Sequence, residues 1–513
     1  MLTGKNITAL RQAIVESLPQ IDQAGADVQQ EPGFTYVPPS HARALDIEAS
    51  IVMGMRGSGK SFWWAALSSD AHRRFIAQAF PSVHLSTRIR VLRGFGDAVR
   101  SADAPGKDAL ARLIREGIKA RTIWRAVVGA HLQFPKPFPS GTQALWADRA
   151  TWVEENPEVF DRMLEAKDDE LAQAKEKALV LFDALDRLGD SWENVRPLAR
   201  GLFQVAQDMR GTRNIRLKLF VRPDMLEDRE IVGFPDASKL LARKAELDWR
   251  RVDLYALFFQ CLGNAGNAGN AGNAGNAGNS GNGGKVLREL TLEVTGEVWE
   301  RAGEFWTMPA TLASDESLQE SVFERLAGKA MSNSPTGWKR GKPYKWIANH
   351  LQDGRGQVSP RSFCEALRRA AEMSLTDFTN HPLALHYRAI HFGVQAASAV
   401  RVNELVDEDY PWVGVLMEPL RGQITVPCAP DDIIDIWRRE KVVQRLERSV
   451  ASSHGSSTVK LPPQHLGDGA RGVLVDLKDL GLVEELRDER IQMPDVYRIA
   501  FGLGRRGGVR PLK

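Results

Sequence analysis

The sequence predicts an α/β protein built on a parallel β-sheet with helices on both faces. Three mostly apolar segments carry this prediction: Ile47–Met53, Ala178–Phe182 and Ile215–Val221. Apolar runs dominate them, as in Ile51–Met53, Ala178–Phe182 and Leu219–Val221, and strands that are buried on both faces show this pattern. Segments with helical spacing separate them, and strands that alternate with helices along a chain indicate parallel pairing.

Length and composition set wide limits on the fold and on the partners. A chain of 513 residues predicts about three domains, or one large domain with elaborations. The fractions of apolar (43%) and charged (26%) residues exclude a wholly disordered chain. Because the formal net charge is only +3, any contact with nucleic acid must be local.

Cysteine usage and hydropathy predict a cytoplasmic protein without a membrane partner. Cys261, Cys364 and Cys428 form no CxxC pair, which argues against a disulfide framework and suits a reducing compartment. No apolar stretch approaches the roughly 18 residues that a membrane-spanning helix needs.

The first half of the chain predicts an N-terminal helix and connector (residues 1–45) followed by an α/β core (residues 46–262). After the first strand, the core continues through a glycine loop, a helix at Phe62–Phe80 and a second strand at Val83–Ser86. Residues 105–177 have helical spacing. Further helices are predicted at Glu193–Met209, between the last two strands, and at Trp249–Leu262.

Three regions follow the core. Residues 263–285 repeat Gly-Asn-Ala units and predict a flexible loop. Residues 286–429 predict a helical lid. Residues 430–513 predict a winged-helix-like domain, because helices at Asp431–Val450 and Ala470–Leu480 precede a hairpin pattern that ends near Met493.

One motif carries chemistry. The segment Gly54–Ser61 fits G-x-x-x-x-G-K-[ST], the phosphate-binding P-loop, and lies between a predicted strand and a predicted helix. Glycines let successive N–H groups point inward at a helix N-terminus, where they attract anions. The alternative is a glycine turn that binds nothing. We expect ATP and Mg²⁺ as cofactors, with nucleotide contacts from Gly54, Gly57, Ser58, Gly59, Lys60, Ser61 and Phe62.

Within this motif, Lys60 is expected to reach the β- and γ-phosphates and the Ser61 hydroxyl to bind Mg²⁺. A second metal ligand should close another apolar strand, and Asp183 follows Ala178–Phe182 in that way. Many ATPases place an acid directly after the metal-side aspartate, but Ala184 occupies that position. Asp186 is the nearest candidate to activate water, and its alternative role is an ion pair or helix cap near Arg187.

Two arginines are further candidates. Arg222 follows the strand Ile215–Val221, and residues at the carboxyl ends of parallel strands face the ligand crevice. It could sense the γ-phosphate or offset charge in the transition state, and its alternative role is a structural pair with Asp224 or Asp228. Arg361, at the start of a predicted helix, is a candidate for a lid contact with the nucleotide.

Together, Gly54–Ser61, Leu181–Arg187 and Phe220–Asp224 resemble the KAP-like and STAND-like bacterial P-loop ATPases. These families belong to the additional-strand group that includes the AAA+ proteins. The resemblance covers about residues 45–262, with Ala184 as a departure from the acid often found there. It implies ATP-driven conformational switching, self-association and, frequently, defence against phage or other mobile DNA.

Three functional hypotheses follow. The first is an ATP-binding switch or motor in which Mg²⁺·ATP closes the lid and controls an oligomer or a partner effector. The second is a DNA-binding ATPase of the initiator or transposition-helper type. The third, which rests on Ala184, is a nucleotide-stabilised scaffold with little hydrolysis. Support for DNA contact comes from the winged-helix-like end and a basic tail with Arg498, Arg505, Arg506, Arg510 and Lys513.

Overall fold

The computed structural model describes residues 3–19, 32–80, 83, 85, 88–96, 100–141, 143–266, 282–334, 336–451, 461–507 and 509–511. The chain forms two compact units. The α/β unit contains Val37–Asp248. The helical unit contains Trp249–Lys513 together with the N-terminal segments Met1–Gln23 and Gln30–Tyr36.

The strands of the described residues are β1 (Ile51–Met53), β2 (Ile89–Phe95), β3 (Lys177–Phe182), β4 (Ile215–Val221), β5 (Ala245–Glu246), β6 (Glu300–Ala302), β7 (Phe305–Thr307), β8 (Thr425–Val426), β9 (Glu484–Glu485), β10 (Ile491–Gln492) and β11 (Gly504–Arg505).

The helices are α1 (Gly4–Ser17), α2 (Ala42–Leu45), α3 (Lys60–Ser68), α4 (Asp70–Ala79), α5 (Lys107–Arg115), α6 (Ala120–His131), α7 (Trp146–Glu155), α8 (Pro157–Ala174), α9 (Trp192–Met209), α10 (Pro223–Glu227), α11 (Arg229–Val232), α12 (Ala237–Leu241), α13 (Arg251–Gly263), α14 (Gly283–Thr295), α15 (Ala310–Ser314), α16 (Glu316–Ala327), α17 (Pro343–Leu351), α18 (Pro360–Thr376), α19 (Tyr387–Asn403), α20 (Pro411–Met417), α21 (Pro430–Arg439), α22 (Val442–Ala451), α23 (Gly469–Asp479) and α24 (Asp495–Phe501).

The α/β unit is built on a five-stranded parallel sheet in the order β2-β3-β4-β1-β5. Because all strands run the same way, their carboxyl ends lie at one edge, and β4 lies between β1 and β3. Residues along β3 and β4 are almost wholly buried, as expected for strands covered by helices on both faces. The predicted α/β fold of the P-loop type is confirmed. One strand, β4, lies between the P-loop strand and the strand that precedes Asp183.

The strand prediction at Ile47–Met53 is wrong in its first half, because β1 begins only at Ile51. The cause is Lys218, a wholly buried residue of β4. Its ammonium donates to the carbonyl oxygens of Ala44 (2.8 Å), Asp46 (2.8 Å) and Ala49 (2.7 Å). A buried charge needs such partners, so residues 44–49 bend around the ammonium instead of extending the strand. Burial lowers the pKa of Lys218 to about 7.

Two further predictions in the α/β unit need correction. The second strand is β2, not Val83–Ser86, part of which lies outside the described residues. The predicted helix at Phe62–Phe80 is two helices, because Ser69 is extended between α3 and α4 and its hydroxyl accepts a hydrogen bond from the His72 N–H. An N-cap serine of this kind starts a new helix.

The N-terminal helix α1 packs against α14 and α18 in the helical unit. Its Arg11 is 1% exposed, and its guanidinium donates to five main-chain carbonyls within residues 378–384. Most of the predicted flexible loop lies outside the described residues, and α14 begins at Gly283. The domain boundaries proposed from the sequence stay predictions.

The C-terminal region contains helices followed by a hairpin, the order on which the winged-helix prediction rests. Helices α21 to α23 precede an antiparallel hairpin of β9 and β10, and an antiparallel bridge from Cys428 to Ile491 adds a third strand position. The predicted helix at Asp431–Val450 is divided into α21 and α22 by Lys441, whose φ is 51°. A left-handed residue of this kind ends a helix.

The basic tail expected from the sequence is partly a folded element. Arg498 lies in α24 and is 0% exposed. Its guanidinium donates to the Asp495 carboxylate at 2.5 Å and to the carbonyls of Leu503 (2.9 Å) and Val509 (2.5 Å). Arg498 is therefore not available to a ligand, which corrects its placement in an exposed tail. Lys513 lies outside the described residues.

Among the described residues, none of the helices combines the length and the apolarity that a bilayer crossing requires.

Candidate nucleotide site

The glycine loop leaves the carboxyl end of β1 and leads directly into α3. The Gly54 N–H donates to the Val221 carbonyl at 3.0 Å, which anchors the loop to β4. Gly57 and Gly59 have φ values of 75° and 99°, a region that side chains disfavour. A Cβ on Gly54 would lie 2.3 Å from Ser58 Oγ, so this position has no room for one.

The first turn of α3 places the positive end of a helix dipole next to this loop. The helix begins at Lys60, directly after Gly59, and continues for nine residues. The first N–H groups of a helix have no partner within the helix, and the helix dipole adds a partial positive charge there. A phosphate at such a position is favoured by both effects.

Lys60 is folded back on the loop. Its Nζ donates to the carbonyls of Gly54 (2.7 Å) and Met55 (2.9 Å). Burial lowers the pKa of Lys60 to about 8, against the opposing effect of Asp183. Arg222 lowers the same pKa, and Asp186 and Asp224 raise it. The lysine therefore lies within a cluster of one arginine and three carboxylates at the carboxyl edge of the sheet.

Asp183 closes β3 within this cluster. Its N–H donates to the Phe95 carbonyl at 2.9 Å, and the residue is only 2% exposed. Ser61, the second residue of α3, is exposed. A hydroxyl and a carboxylate are oxygen ligands of the type that Mg²⁺ prefers, so the donor set fits the predicted ion. The metal role of both residues stays a prediction.

Ala184 turns the chain sharply after Asp183. Its φ of 55° is left-handed, an uncommon conformation for alanine. A single 3₁₀ turn at Leu185–Arg187 follows and brings Asp186 to Arg222, whose Nη1 donates to Asp186 at 3.3 Å. Burial alone would raise the pKa of Asp186, but the charges of Arg222 and Lys60 outweigh it and the pKa is lowered. Asp186 is therefore ionised at neutral pH.

Arg222 connects two carboxylates. Besides Asp186, it donates to both carboxylate oxygens of Asp224, at 3.2 and 3.3 Å, and its side chain is 11% exposed. The structural pair considered from the sequence is thus present. This pair lies in the same cluster as Lys60. The predicted sensing role also requires Arg222 to lie in that cluster. From the sequence, Asp224 is expected only as a structural partner of Arg222, although its place after a central strand is a signal for a site residue.

The other predicted residues have partners elsewhere. Phe62 packs edge-on against the rings of Trp63 (5.0 Å) and His72 (6.4 Å). Arg361 lies in the helical unit at the start of α18, where its Nη1 donates to Glu404 at 2.7 Å. Neither contact tests the predicted nucleotide-binding roles, which stay predictions.

A hydrogen-bonded relay that the sequence did not reveal holds the P-loop helix. The Trp63 indole donates to His41 Nδ1 at 3.1 Å, and His41 Nε2 lies 3.1 Å from the Asp248 carbonyl. Burial lowers the pKa of His41 to about 3, so the ring is neutral and donates through Nε2. The relay joins α3 to the residues before α2 and to the last residue of the α/β unit.

Comparisons with known proteins give little further information. No family model matches the chain, and no curated protein is similar to it. Two solved structures of the ORC2 protein of Aeropyrum pernix, ADPNP-ADP complexes and an ADP form, each have 13% identity and cover 91% of this chain and 94% of their own. Their TM-scores are 0.35 and 0.31, values at which the likeness carries no argument about this chain.

Proposed function

We propose that this protein binds Mg²⁺·ATP at the loop Gly54–Ser61 and acts as a nucleotide-controlled ATPase. The observation that carries the proposal is the position of Lys60. It opens a helix directly after a glycine loop, at the edge of a parallel sheet where Asp183, Asp186 and Arg222 also lie.

Binding of the triphosphate replaces the hydrogen-bond acceptors of the Lys60 ammonium. The ammonium is satisfied by the neutral carbonyls of Gly54 and Met55. Phosphate oxygens are charged acceptors and form stronger hydrogen bonds with an ammonium than carbonyls do. The loop N–H groups and the first turn of α3 bind the same oxygens. Ser61 and Asp183 would hold Mg²⁺, which would offset the charge of the phosphates.

In the proposed hydrolysis, Asp186 is the carboxylate that activates water. Asp186 is ionised, so it can accept a proton from a water molecule that attacks the γ-phosphorus. A bond forms from the water oxygen to phosphorus, the bond to the β–γ bridging oxygen breaks, and ADP and phosphate leave. Arg222 offsets the charge that gathers on the transferred group.

The same arginine gives the protein two states. Arg222 is held by Asp186 and Asp224. A γ-phosphate competes with these carboxylates, so ATP and ADP favour different arrangements of the cluster. A ligand-driven switch needs such a difference in contacts. Closure of a lid, self-association, an effector partner, membership of the KAP-like or STAND-like families and a role in defence stay predictions.

The test is equilibrium binding of a fluorescent ATP analogue with Mg²⁺ to the Lys60→Ala variant. Loss of the ammonium should weaken binding by roughly 10- to 100-fold, since hydrogen bonds between charged groups contribute about 1.5–3 kcal/mol. Lys239→Ala is the matched control, because Lys239 is an exposed lysine of the same unit in a surface pair with Asp236. Equal affinity of Lys60→Ala and wild type would show that the nucleotide site is elsewhere.

A further inference from the structure

A basic segment without acidic residues lies in the helical unit. Residues 325–352 contain no aspartate or glutamate and carry six basic side chains: Arg325, Lys329, Lys339, Arg340, Lys342 and Lys345. The formal net charge of the whole chain is +3, so the rest of the chain is net negative and this segment is a local concentration of positive charge. We call residues 325–352 the basic segment.

The centre of the basic segment is a closed loop. The Met331 N–H donates to the Gly341 carbonyl at 2.9 Å, which joins the two ends of residues 331–341. Within the loop, the Gly337 N–H donates to the Ser334 carbonyl at 2.8 Å, and the Lys339 N–H donates to the Thr336 carbonyl at 3.0 Å. Compact loops with adjacent ends are frequently functional.

The exposed side chains of the segment are all polar or charged among the described residues. Five of the six basic residues are exposed: Lys329, Lys339, Arg340, Lys342 and Lys345. The acids near them lie outside the segment. Glu320 contacts Lys342 and lies 3.9 Å from Lys345, Glu324 lies 3.6 Å from Lys342, and Glu293 accepts from Arg325 at 2.8 Å. The Arg325–Glu293 pair is exposed, contributes little and can be exchanged for a phosphate contact. Glu320 is only 13% exposed, so Lys342 and Lys345 keep an acidic partner there.

An aromatic group adjoins the basic residues. The Trp346 ring lies 4.2 Å from the His350 ring and 4.5 Å from the His391 ring, measured between centroids. Burial, with the charges of His350 and Arg340, lowers the pKa of His391 to about 4, which is consistent with Arg340 lying near this group. His350 also contacts the Asp495 carboxylate, at 2.5 Å.

Asp495, a buried residue of α24, links His350 of the basic segment to Arg505. Its Oδ1 accepts from Arg498 at 2.5 Å and from Arg505 at 3.2 Å. One carboxylate is thus shared by two arginines and His350, so the local balance remains positive. Arg505 is the member of this group that retains exposure, with a 37% exposed side chain.

We propose that the basic segment binds the phosphodiester backbone of nucleic acid, with Lys339 and Arg340 as its principal contacts. Cations clustered on one surface neutralise phosphates and release counterions, which is the main source of backbone affinity. An acidic protein is the less favoured partner, because a stable protein interface has an apolar core and the exposed side chains described in this segment are polar. This inference does not depend on ATP binding.

The basic segment is more positive than α23 and the hairpin of the winged-helix-like region. Residues 468–492, which contain α23 and the hairpin, have seven acidic and four basic side chains. Asp476 and Asp479 lie on α23 itself, close to His465. A surface with this excess of carboxylates repels phosphates. The sequence-based hypothesis placed DNA contact at the C-terminal end, and the distribution of charge moves it to another part of the same unit.

The experiment measures the fluorescence anisotropy of a labelled duplex of about 30 base pairs at several KCl concentrations, without nucleotide. The double variant Lys339→Ala/Arg340→Ala should bind at least about tenfold more weakly at low salt, and its slope of log affinity against log salt should fall by about 2. The matched control is Arg438→Ala/Arg439→Ala, two adjacent arginines of α21 with 70% and 60% exposed side chains. It should bind as wild type does.

Three outcomes would overturn the proposal: no binding of the duplex by wild type at low salt, equal losses in the double variant and its control, or competition by polyglutamate as strong as that by duplex. Single-stranded DNA or RNA that shows the same loss in the double variant supports it, because the backbone is common to all three. Thermal unfolding checks that both double variants fold. Lys60→Ala should bind the duplex normally, so failure at the ATP site and failure here are distinguishable.

Discussion

At the carboxyl edge of the sheet, the guanidinium of Arg222 donates to two carboxylates. The proposed mechanism gives one of them a role in catalysis and the other a role in support. Asp186 and Asp224 both contact Arg222, at 3.3 Å and at 3.2–3.3 Å. The proposed mechanism assigns the water-activating role to Asp186 alone. Asp224 then only holds the arginine.

We expect Asp186→Asn to reduce ATP turnover by about 10²- to 10⁴-fold, because an amide cannot accept the proton that a general base removes. Affinity for the ATP analogue should change by only a few-fold. Asp224→Asn, which removes one charged partner of the same arginine, should retain most of the turnover. Steady-state phosphate release and analogue binding provide both readouts.

Equal losses of turnover in the two variants would contradict this assignment, since both carboxylates would then act by holding Arg222. Background turnover in wild type together with tight ATP binding would favour the nucleotide-stabilised scaffold. The sequence suggests the scaffold because Ala184 occupies a position where an acid is often found. In the structure Ala184 is also left-handed.

At the scale of elements, β4 supports the site through Lys218. Its ammonium holds residues 44–49, which precede β1 and the P-loop, through three carbonyls. A methionine at this position would leave those carbonyls without their donor. We expect Lys218→Met to lower the free energy of unfolding by about 2–5 kcal/mol.

The effect of Lys218→Met should depend on pH. The pKa of Lys218 is about 7 in the folded chain and about 10.5 in the unfolded chain, so the unfolded state binds more protons between these values. The contribution of this residue to the free energy of unfolding therefore rises with pH above about 7. The difference between wild type and Lys218→Met, from urea unfolding at a series of pH values, should increase from pH 7 to pH 9. Parallel pH profiles would contradict a Lys218 pKa that burial lowers to about 7.

Local sequence patterns correctly predicted the elements that depend only on neighbouring residues. The strand Ile215–Val221 is observed with the predicted bounds, and the P-loop lies between a strand and a helix as expected. The second strand was missed because β2 is at the edge of the sheet and contains Arg90 and Arg93, so its apolar signal is weak. The first strand was predicted too long because its limit depends on Lys218, which is distant in sequence.

At the scale of the whole molecule, the structure brings several predicted site residues together and buries one residue of the predicted basic tail. The P-loop lysine and Asp183 do meet at one edge of the sheet, because parallel strands bring their carboxyl ends together. Arg498 shows the opposite case. Its charge indicated an exposed tail, but Asp495 and two carbonyls bury it, and these partners follow only from the tertiary fold.

The distribution of charge along the chain is also a property of the whole molecule. A net charge of +3 conceals the basic segment at residues 325–352, because acids elsewhere nearly cancel it. Charge counted over the whole chain therefore says little about nucleic acid, whereas charge counted along exposed segments identifies one surface to test.

The central claim is that the loop Gly54–Ser61 holds a triphosphate, and an experimental structure of the protein with a non-hydrolysable ATP analogue and Mg²⁺ tests it most directly. The account predicts phosphate oxygens within hydrogen-bond distance of the loop N–H groups, and Lys60 Nζ moved from the carbonyls of Gly54 and Met55 to those oxygens. A structure in which the analogue binds elsewhere, while Lys60 keeps both carbonyl contacts, would contradict it.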